Sequence, residues 1–295
     1  LEVPDVDAGP GQIRIRNFAA AVNPVDVSVR NGSMAEMQKI KPPPYVPGMD
    51  AAGIIDQIGE GVETDLKEGD SVMAMVVPNG NHGAYREQIV LDQNAVVRAP
   101  KDSSHIQAST LPMNSLTARL SLDLLDLQKG QVLAVTGAPG AYGGYVVQLA
   151  KADGLIVIAD SNDNDRALLE SLGVDIIVPR GESFADNIRK EFPEGVDGIA
   201  DGALLNEQAI AAVKDGGSFT SVRGFKGEPQ RDINFTATWV TAYDCKKDIL
   251  EKLKLQAEEE IISLRVNQAV SMDKASLAHE TLEAGGSRGR MVIEF

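Results

Sequence analysis

The sequence predicts an α/β protein with two parts: a β-rich part of short strands, and a doubly wound parallel sheet with helices on both faces. Two observations carry this prediction. Up to about residue 105, short apolar stretches alternate with Gly and Pro turns, which is typical of a compact β-barrel or sandwich. From about residue 132, apolar strands alternate with helical segments, which indicates a parallel sheet.

The β-rich part contains five predicted strands bounded by turns. Gly9-Pro10-Gly11 and Glu68-Gly69-Asp70 precede the first and third strands, and Gly59-Glu60-Gly61 ends the second. Glycine and proline at such points favour turns over continued strand. The strands are predicted at residues 12–16, 51–58, 71–77, 84–90 and 95–98.

The alternating part follows two predicted helices, at residues 107–111 and 115–125. Its strands are predicted at 132–136, 155–159, 175–178, 198–201 and 218–222, and its helices at 145–152, 165–172, 184–191 and 207–213. A solvated, charged helix at 246–260 comes next, and the chain closes with a strand, a helix and a strand, at 265–270, 274–284 and 291–295. This closing segment resembles the β-rich opening, so we expect it to fold back on it. We assign 1–112 and 260–295 to one domain and 113–259 to the other.

Charge argues against some classes of partner. The 295 residues include 28 Lys and Arg against 43 Asp and Glu, a net charge of −15. Such a surface repels phosphate backbones, so we expect no nucleic acid partner. The sequence has no apolar run of about 18 residues and no secretory signal at its start, so we expect a cytoplasmic protein with no membrane partner. Because Leu1-Glu2-Val3-Pro4 reads like a domain interior, we expect a strand or hairpin to precede it.

Cys245 is the only cysteine. One thiol forms no intrachain disulfide and no multi-cysteine zinc cluster. Its neighbours Asp244 and Lys246 include no obvious base that would lower its pKa, so we expect an ordinary thiol.

A glycine-rich loop after the strand at 132–136 is the most informative segment. Gly137, Gly140 and Gly143 lie where that strand gives way to a helix. Glycine permits a tight turn, and backbone N–H groups at a helix N-terminus bind pyrophosphate. Pro139 has no N–H, so the donors are expected from Gly140 onward, through Ala141 and Tyr142 to Gly143. The alternative is an ordinary glycine-rich turn.

Asp160 follows the second strand of the sheet, 20 residues after Gly140. An acid at this distance binds the ribose diol of a dinucleotide and disfavours a 2′-phosphate, which favours NAD(H). Arg166 offers a cation that would soften this preference. The alternative is a solvated turn acid, since Asp163 and Asp165 lie nearby, and the choice between NAD(H) and NADP(H) stays open.

Several short motifs resemble those of the medium-chain dehydrogenase/reductase superfamily, in particular its zinc-free quinone oxidoreductase branch. The resemblance covers essentially the whole chain, and the order and spacing of the motifs make it specific. The motifs are NPVD at 23–26, VPGMDAAG at 46–53, the turn and strand at 59–72, LTA at 116–118, VQLAK at 147–151 and GGSRGR at 285–290.

The resemblance implies a fold, an activity and an assembly. It implies a β-rich GroES-like catalytic domain and a Rossmann cofactor domain. It implies hydride transfer from NAD(P)H to a quinone, an enone or a similar conjugated carbonyl, with a small molecule as the partner. It also implies a homodimer joined through residues 232–240 at the edge of the cofactor sheet.

The resemblance also names cofactor contacts. Thr117 is expected near the nicotinamide or its phosphates, and the loop of Val222, Arg223, Gly224 and Phe225 is expected beside the nicotinamide. Arg223 is otherwise a solvated loop arginine, and Arg288 or Arg290 either reaches the cofactor or pairs with acids. Tyr142 departs from the small aliphatic residue common at its position. Asp201 is expected to support its loop rather than to perform chemistry.

Zinc is not expected. Zinc-dependent relatives bind the catalytic metal through Cys and His at the positions of Asn23 and Met49, and neither residue present is a suitable zinc ligand. Asp26 and Asp50 remain, but two carboxylates do not complete such a site. The four-cysteine structural lobe is missing too. We expect the three histidines to be structural, because they are scattered: His82, His105 and His279.

Without zinc, the acceptor must already be activated by conjugation, and its developing oxyanion needs a donor. Asn23 is the candidate amide donor, with a turn cap before Pro24 as the alternative. Asp26 is expected to orient that loop. Tyr45 is expected either to line the mouth of the site or donate a hydrogen bond, or to be an ordinary partly apolar neighbour. Thr117 completes the candidate catalytic set.

Two other functions fit the same sequence. The fold also suits a non-catalytic, nucleotide-responsive binding protein, because proton delivery by water leaves no diagnostic acid. The abrupt start at Leu1 also suits an enoyl-reductase domain cut from a larger synthase. We rank this last, because the strand ending at Phe295 reads as a natural end.

Overall fold

The computed structural model of the chain describes residues 6–38, 43–181 and 183–295. The chain folds as two compact units, one of Leu1–Met113 with Tyr243–Phe295 and one of Asn114–Ala242. Residues 1–4, which suggested a preceding strand, lie outside the described residues. No helix in the described ranges is long and apolar enough to cross a bilayer.

The strands of the described residues are numbered in chain order. They are β1 (Gln12–Ala21), β2 (Asp50–Ile58), β3 (Ser71–Met75), β4 (Gln88–Asp92), β5 (Val96–Arg98), β6 (Val132–Thr136), β7 (Ile156–Ser161), β8 (Ile176–Pro179), β9 (Val196–Asp201), β10 (Val213–Val222), β11 (Asn234–Thr238), β12 (Val266–Ser271) and β13 (Arg290–Glu294).

The α-helices of the described residues are numbered in the same way. They are α1 (Pro24–Arg30), α2 (Ala35–Gln38), α3 (His105–Ala108), α4 (Pro112–Leu125), α5 (Ala141–Ala152), α6 (Arg166–Ser171), α7 (Phe184–Glu191), α8 (Glu207–Ile210), α9 (Lys247–Glu258) and α10 (Ala275–Ala284).

The first unit is built on a seven-stranded sheet. Its strand order is β12-β13-β1-β2-β3-β5, and β4 pairs with β1. Side chains two residues apart lie on the same face of a strand, and Ile13 and Ile15 of β1 are accordingly both fully buried in the core with Ile55 and Ile89. β13 pairs antiparallel with β1, so the end of the chain completes this sheet.

The second unit ends at Ala242, before the predicted boundary at residue 260, because α9 belongs to the first unit. This helix packs against β5 and buries Leu250 and Leu253. The carboxylate of Glu258 accepts the Lys101 N–H at 2.9 Å. The helix was expected to be solvated because the segment 246–260 is rich in charged residues, but two leucines three positions apart are enough to attach one face.

The second unit is a doubly wound sheet of six parallel strands, which confirms the predicted fold class. Its order is β11-β10-β9-β6-β7-β8. After β6 the chain builds β7 and β8 on one side and then crosses to β9 on the other. The strand order therefore reverses between β6 and β9, and ligands of such sheets bind at the carboxyl ends of the strands at this switch point.

Some element limits differ from the sequence prediction for local reasons. α5 begins at Ala141 rather than 145, although Gly143 and Gly144 have poor helix propensity. Helix α1 was not predicted, yet Asn23 and Asp26 provide an N-cap and a first-turn acid for it. The predicted helix at 207–213 ends at Ile210 because Val213 begins β10.

Candidate functional site

The glycine loop of the second unit has a backbone that only glycine fits. Gly137 has a φ of +67°, in the left-handed region. A Cβ atom on Gly143 would lie 2.4 Å from the carbonyl oxygen of Gly137. Gly140 is the N-cap of α5, and its N–H donates to the Gly137 oxygen at 2.9 Å. The Gly140 N–H therefore closes the turn, in contrast to the prediction that it would be a free donor.

The next three N–H groups are the available donors. Within the described residues, the structure gives no acceptor to the N–H groups of Ala141, Tyr142 and Gly143. These are the first N–H groups of α5, which have no partner inside the helix and lie at the positive end of its dipole. Donors so arranged bind an anion, so these residues fit the pyrophosphate of a dinucleotide.

Asp160, at the end of β7, is buried and paired. Its Oδ1 accepts the N–H of Gly137 at 3.2 Å, and its Oδ2 accepts Nε of Arg180 at 2.8 Å. The alternative interpretation of a solvated turn acid is therefore wrong, since only 3% of Asp160 is exposed. The carboxylate lies directly beside the glycine loop.

The cation beside Asp160 is Arg180, not the predicted Arg166. Arg166 is exposed and lies 3.7 Å from Glu170, one turn along α6. Sequence reasoning missed Arg180. The available signal was its position directly after β8, because β7 and β8 are parallel neighbours and their carboxyl ends share one edge.

Tyr142 extends from the loop into a cluster of hydroxyl groups. Its Oη lies 2.7 Å from Oγ of Ser121, and that Oγ lies 3.0 Å from Oγ1 of Thr238. Burial raises the pKa of Tyr142 well above its ordinary value. Ser121 and Thr238 were not singled out from the sequence, because they lie on α4 and β11, far apart in the chain.

The sequence also singled out Asp201 and Thr117, and both are buried. Asp201 accepts from Oγ1 of Thr136 at 2.5 Å and from two loop N–H groups, which agrees with its expected supporting role. Thr117 is buried on α4, and its carbonyl oxygen accepts from Ser121 at 3.0 Å.

The loop after β10 has strained backbone. Val222 ends β10, and Arg223 is exposed with a φ of +65°. The following Gly224 has a φ of +89°, and a Cβ there would lie 2.8 Å from the ring of Trp239. This loop is therefore shaped by an aromatic side chain that follows β11.

In the first unit, Asn23 does not have the geometry of the predicted donor. It is fully buried. Its Nδ2 donates to the Ala21 oxygen at 3.2 Å and to Oδ2 of Asp50 at 2.8 Å. Both N–H bonds are thus used, and no donor remains for an acceptor oxygen. Its position as the N-cap before Pro24 fits the alternative interpretation.

Arg290 and Asp50 complete this buried cluster. Nη2 of Arg290 lies 2.7 Å from Oδ1 of Asn23 and 3.2 Å from Oδ2 of Asp50. Asp50 also accepts the N–H of Met113 at 2.7 Å. Burial raises the pKa of Asp50, and the charge of Arg290 opposes this shift. The sequence left two alternatives for Arg290, a contact with the cofactor or pairing with an acid, and the structure shows the pairing with Asp50. Arg288, for which the same alternatives were given, is half-buried.

Asp26 joins two loops of the first unit, as expected for an orienting residue. Its Oδ2 accepts the N–H of Asn23 and its Oδ1 accepts the N–H of Gly48, both at 2.8 Å. Burial raises the pKa of Asp26 to about 6. Tyr85, which the sequence analysis missed, places its Oη 3.3 Å from Asp26 and 3.1 Å from Nε2 of His279.

The sequence also singled out Tyr45, Met49, His105 and Cys245. The side chain of Tyr45 is exposed and Met49 is buried. His105 stacks on Phe18 with ring centroids 5.0 Å apart. Across the described ranges, no three His, Cys, Asp or Glu side chains are arranged to hold a metal ion. Burial and the neighbouring Asp244 raise the pKa of the Cys245 thiol to about 11, so it is an ordinary thiol at neutral pH.

Comparisons with known proteins match both parts of the chain. The family description "Alcohol dehydrogenase GroES-like domain" matches residues 9–101, and "Zinc-binding dehydrogenase" matches residues 141–250. A 2-methylene-furan-3-one reductase of Solanum lycopersicum is 31% identical, covering 99% of this chain and 74% of that protein. An NADPH-dependent alkenal/one oxidoreductase of Arabidopsis thaliana is 28% identical, covering 96% and 72%. The solved quinone oxidoreductase from Coxiella burnetii has a TM-score of 0.88 at 25% identity, covering 100% of this chain and 94% of that one.

Proposed function

The chain belongs to the medium-chain dehydrogenase/reductase superfamily, and from this premise we propose that it is an NAD(P)H-dependent oxidoreductase acting on quinones, enones or similar conjugated carbonyls. The observation that carries the proposal is the glycine loop at the switch point of the parallel sheet. Its N–H groups at Ala141 to Gly143, which have no acceptor among the described residues, fit a diphosphate. A bound nicotinamide dinucleotide supplies the hydride.

The relatives support this choice of acceptor. Those named above are a furanone reductase, an alkenal/one oxidoreductase and a quinone oxidoreductase. Such acceptors carry a carbon–carbon double bond or a quinone ring conjugated to carbonyl oxygen. Conjugation spreads the charge that develops when hydride is added, so less stabilisation is required from the protein.

We propose that the reaction proceeds without zinc, and the donor set supports this. The positions that hold zinc in metal-dependent relatives carry the amide of Asn23 and the thioether of Met49, neither of which suits zinc. The amide of Asn23 is committed to Asp50, Ala21 and Arg290. We therefore assign Asn23 and Asp26 as positioning residues of the first unit, and Thr117 and Tyr45 as candidates to contact cofactor or substrate.

We propose NADPH as the preferred cofactor over NADH. The acid that would repel a 2′-phosphate, Asp160, is neutralised by the guanidinium of Arg180 at 2.8 Å. The side chain of Arg180 is 38% exposed, which leaves donors for an incoming phosphate, and arginine binds phosphate well. The Arabidopsis relative is named as NADPH-dependent.

The test is rapid-mixing oxidation of NADPH, followed by its absorbance, with a panel of quinones and α,β-unsaturated ketones and aldehydes. Turnover with conjugated acceptors and none with saturated aldehydes is the expected result. Tight cofactor binding without turnover of any acceptor would favour the non-catalytic, nucleotide-responsive alternative. Dialysis against a chelator should leave the rate unchanged, and loss of activity restored by zinc would contradict the metal-free assignment.

A homodimer joined through β11 is also proposed, because β11 is an edge strand of the six-stranded sheet. An edge strand presents unpaired N–H and C=O groups to a second chain, and symmetric dimers are the commonest oligomers. Sedimentation as a monomer at all practical concentrations would contradict this. The cytoplasmic location stays a prediction from the sequence.

A further inference from the structure

A chain of three titratable side chains connects helix α1 to helix α10 inside the first unit. Asp26 of α1 is fully buried, and its Oδ2 lies 3.3 Å from Oη of Tyr85. The same Oη lies 3.1 Å from Nε2 of His279 on α10, which is 4% exposed. Among the described residues, Nδ1 of His279 has no hydrogen-bond partner. One hydroxyl group therefore connects a carboxyl group to an imidazole ring.

The surrounding backbone and ring packing hold these three groups in place. The ring of Tyr85 meets that of His279 edge-on, with centroids 5.7 Å apart and planes at 80°. A Cβ atom on Gly48 would lie 2.6 Å from Cδ1 of Tyr85, so this ring packs directly on glycine backbone. Asp26 is fixed by the backbone N–H groups of Asn23 and Gly48, each at 2.8 Å. The hydrogen bonds of the chain therefore have defined partners at every atom except Nδ1.

Asp26 changes its charge near neutral pH. Burial is the main reason that its pKa is raised to about 6. The two backbone hydrogen bonds and the charge of Arg290, on β13, oppose this shift, whereas the charge of Asp50, on β2, adds to it. A neutral carboxyl group accepts hydrogen bonds more weakly than a carboxylate. Proton uptake by Asp26 therefore loosens its hold on the two loops that it joins.

His279 is kept neutral by its surroundings. Burial lowers its pKa, the positive charge of Arg30 on α1 adds to this effect, and Glu283 on α10 itself opposes it. Strands β12 and β13, which pack on α10, supply apolar side chains to the same cluster, namely Val270, Met291 and Ile293. The neutral imidazole carries one N–H, either at Nε2 or at Nδ1.

We propose that Tyr85 passes a proton between His279 and Asp26, so that proton uptake by Asp26 moves the N–H of His279 from Nε2 to Nδ1. A carboxylate only accepts hydrogen bonds. While Asp26 is ionised, the Tyr85 hydroxyl therefore donates to it and accepts from the N–H at Nε2. Once Asp26 is protonated it donates to Oη, the hydroxyl donates to Nε2, and the ring proton lies on Nδ1.

The transfer balances with one proton from solvent. This proton binds at Nδ1 of His279, the proton on Nε2 passes to Oη, and the original hydroxyl proton passes to Oδ2 of Asp26. Burial raises the pKa of Tyr85 well above its ordinary value, so the hydroxyl receives one proton as it gives up the other and forms no phenolate. Since Nδ1 is buried, entry of the proton requires a local opening of the structure.

The test is ¹⁵N NMR of the full chain with labelled histidine, which distinguishes a protonated ring nitrogen from a bare one. As pH falls through about 6, the N–H of His279 is expected to move from Nε2 to Nδ1 while the ring stays neutral. Tyr85→Phe removes the connecting hydroxyl, so the tautomer of His279 should no longer follow pH in this range. His105 is the control in the same spectra, because it stacks on Phe18 and should form an imidazolium without exchanging tautomers.

Three outcomes would overturn the proposal. They are a single tautomer of neutral His279 across this range, an imidazolium at His279 in place of the exchange, and an unchanged exchange in Tyr85→Phe. If Tyr85→Phe does not fold, Asp26→Asn takes its place, because an amide does not titrate. The exchange should then be lost, and its persistence would show that another group drives it. These measurements need no cofactor or acceptor, so their outcome is independent of the proposed function.

Discussion

Arg290 donates from Nη2 to Oδ1 of Asn23 at 2.7 Å, which joins strand β13 to the N-cap of helix α1. The contact spans 267 residues of sequence. It fixes which way the Asn23 amide faces, because Oδ1 must accept from the guanidinium and Nδ2 must then donate to Asp50. The orientation of this amide therefore depends on a residue near the end of the chain.

Replacing Arg290 is expected to destabilise the fold strongly. Arg290→Met leaves the buried Asp50 carboxylate without its cation, and such a change costs about 3–5 kcal/mol of unfolding free energy. Urea denaturation measures this. The matched control is Arg30→Met, because the Arg30–Glu283 pair is partly exposed and such pairs are worth about 0–1 kcal/mol. Equal losses in both variants would contradict the role of the buried pair, and Asp50→Asn in the Arg290→Met background should recover part of the loss.

Asp26 is expected to make stability pH-dependent in a defined direction. Burial raises its pKa from 3.8 to about 6, so the folded state binds this proton more tightly than the unfolded state. The stabilisation from this proton is fully present below pH 3.8 and is lost as pH rises through about 6. Its contribution to the free energy of unfolding should fall by about 3 kcal/mol across that window.

The measurement is urea denaturation of the wild type and Asp26→Asn at pH values spanning that window. The amide does not titrate, so the difference between the two proteins should change across the window by the Asp26 contribution. Parallel pH profiles would show that Asp26 does not titrate in this range.

The cofactor preference is expected to depend on Arg180. Removing its cation in Arg180→Gln should weaken NADPH binding by about 10-fold or more, because hydrogen bonds to charged groups are worth about 1.5–3 kcal/mol. NADH binding should change less, since it lacks the 2′-phosphate. Arg166→Gln is the control, because Arg166 pairs with Glu170 instead. A change in the ratio of NADPH to NADH affinity with Arg166→Gln but not with Arg180→Gln would reverse the assignment.

Asp160→Ser should also shift this affinity ratio, and an unchanged ratio would remove Asp160 from the cofactor site.

Cys245 is expected to react slowly with iodoacetamide in the folded protein. Its pKa is raised to about 11 by burial and by Asp244, so at pH ~8 the thiolate fraction is roughly 100-fold smaller than that of a free cysteine. Mass spectrometry of alkylated protein, native and unfolded in urea, gives the comparison. Similar rates in the two states would show that the thiol is not protected.

The sequence predicted those features that local patterns determine. One short segment shows the loop glycines, the helix that follows them and an acid 20 residues after Gly140. The structure places Gly137 and Asp160 in contact. The sequence did not predict the other partners of these residues. Arg180 contacts Asp160 through strand pairing, and Ser121 contacts Thr238 across 117 residues.

For Asn23, the missing knowledge of its partners led to a wrong prediction of its role. Its residue type suggested a donor, and only the three-dimensional contacts with Asp50 and Arg290 show that its N–H groups are used. The sequence reveals whether a side chain can donate a hydrogen bond. Whether that donor is free depends on its neighbours in the fold, which the sequence does not reveal.

The pairing of β13 with β1 has a consequence for how the chain matures on the ribosome. Residues 114–242 form a contiguous unit and can begin to fold once they have been synthesised. The first unit must wait, because its central strand β1 lacks one of its neighbours until β13, near the end of the chain, emerges. The cluster around Asn23 therefore assembles only after Arg290 has been synthesised, and a nascent chain stalled before Arg290 would hold Asp50 without its cation.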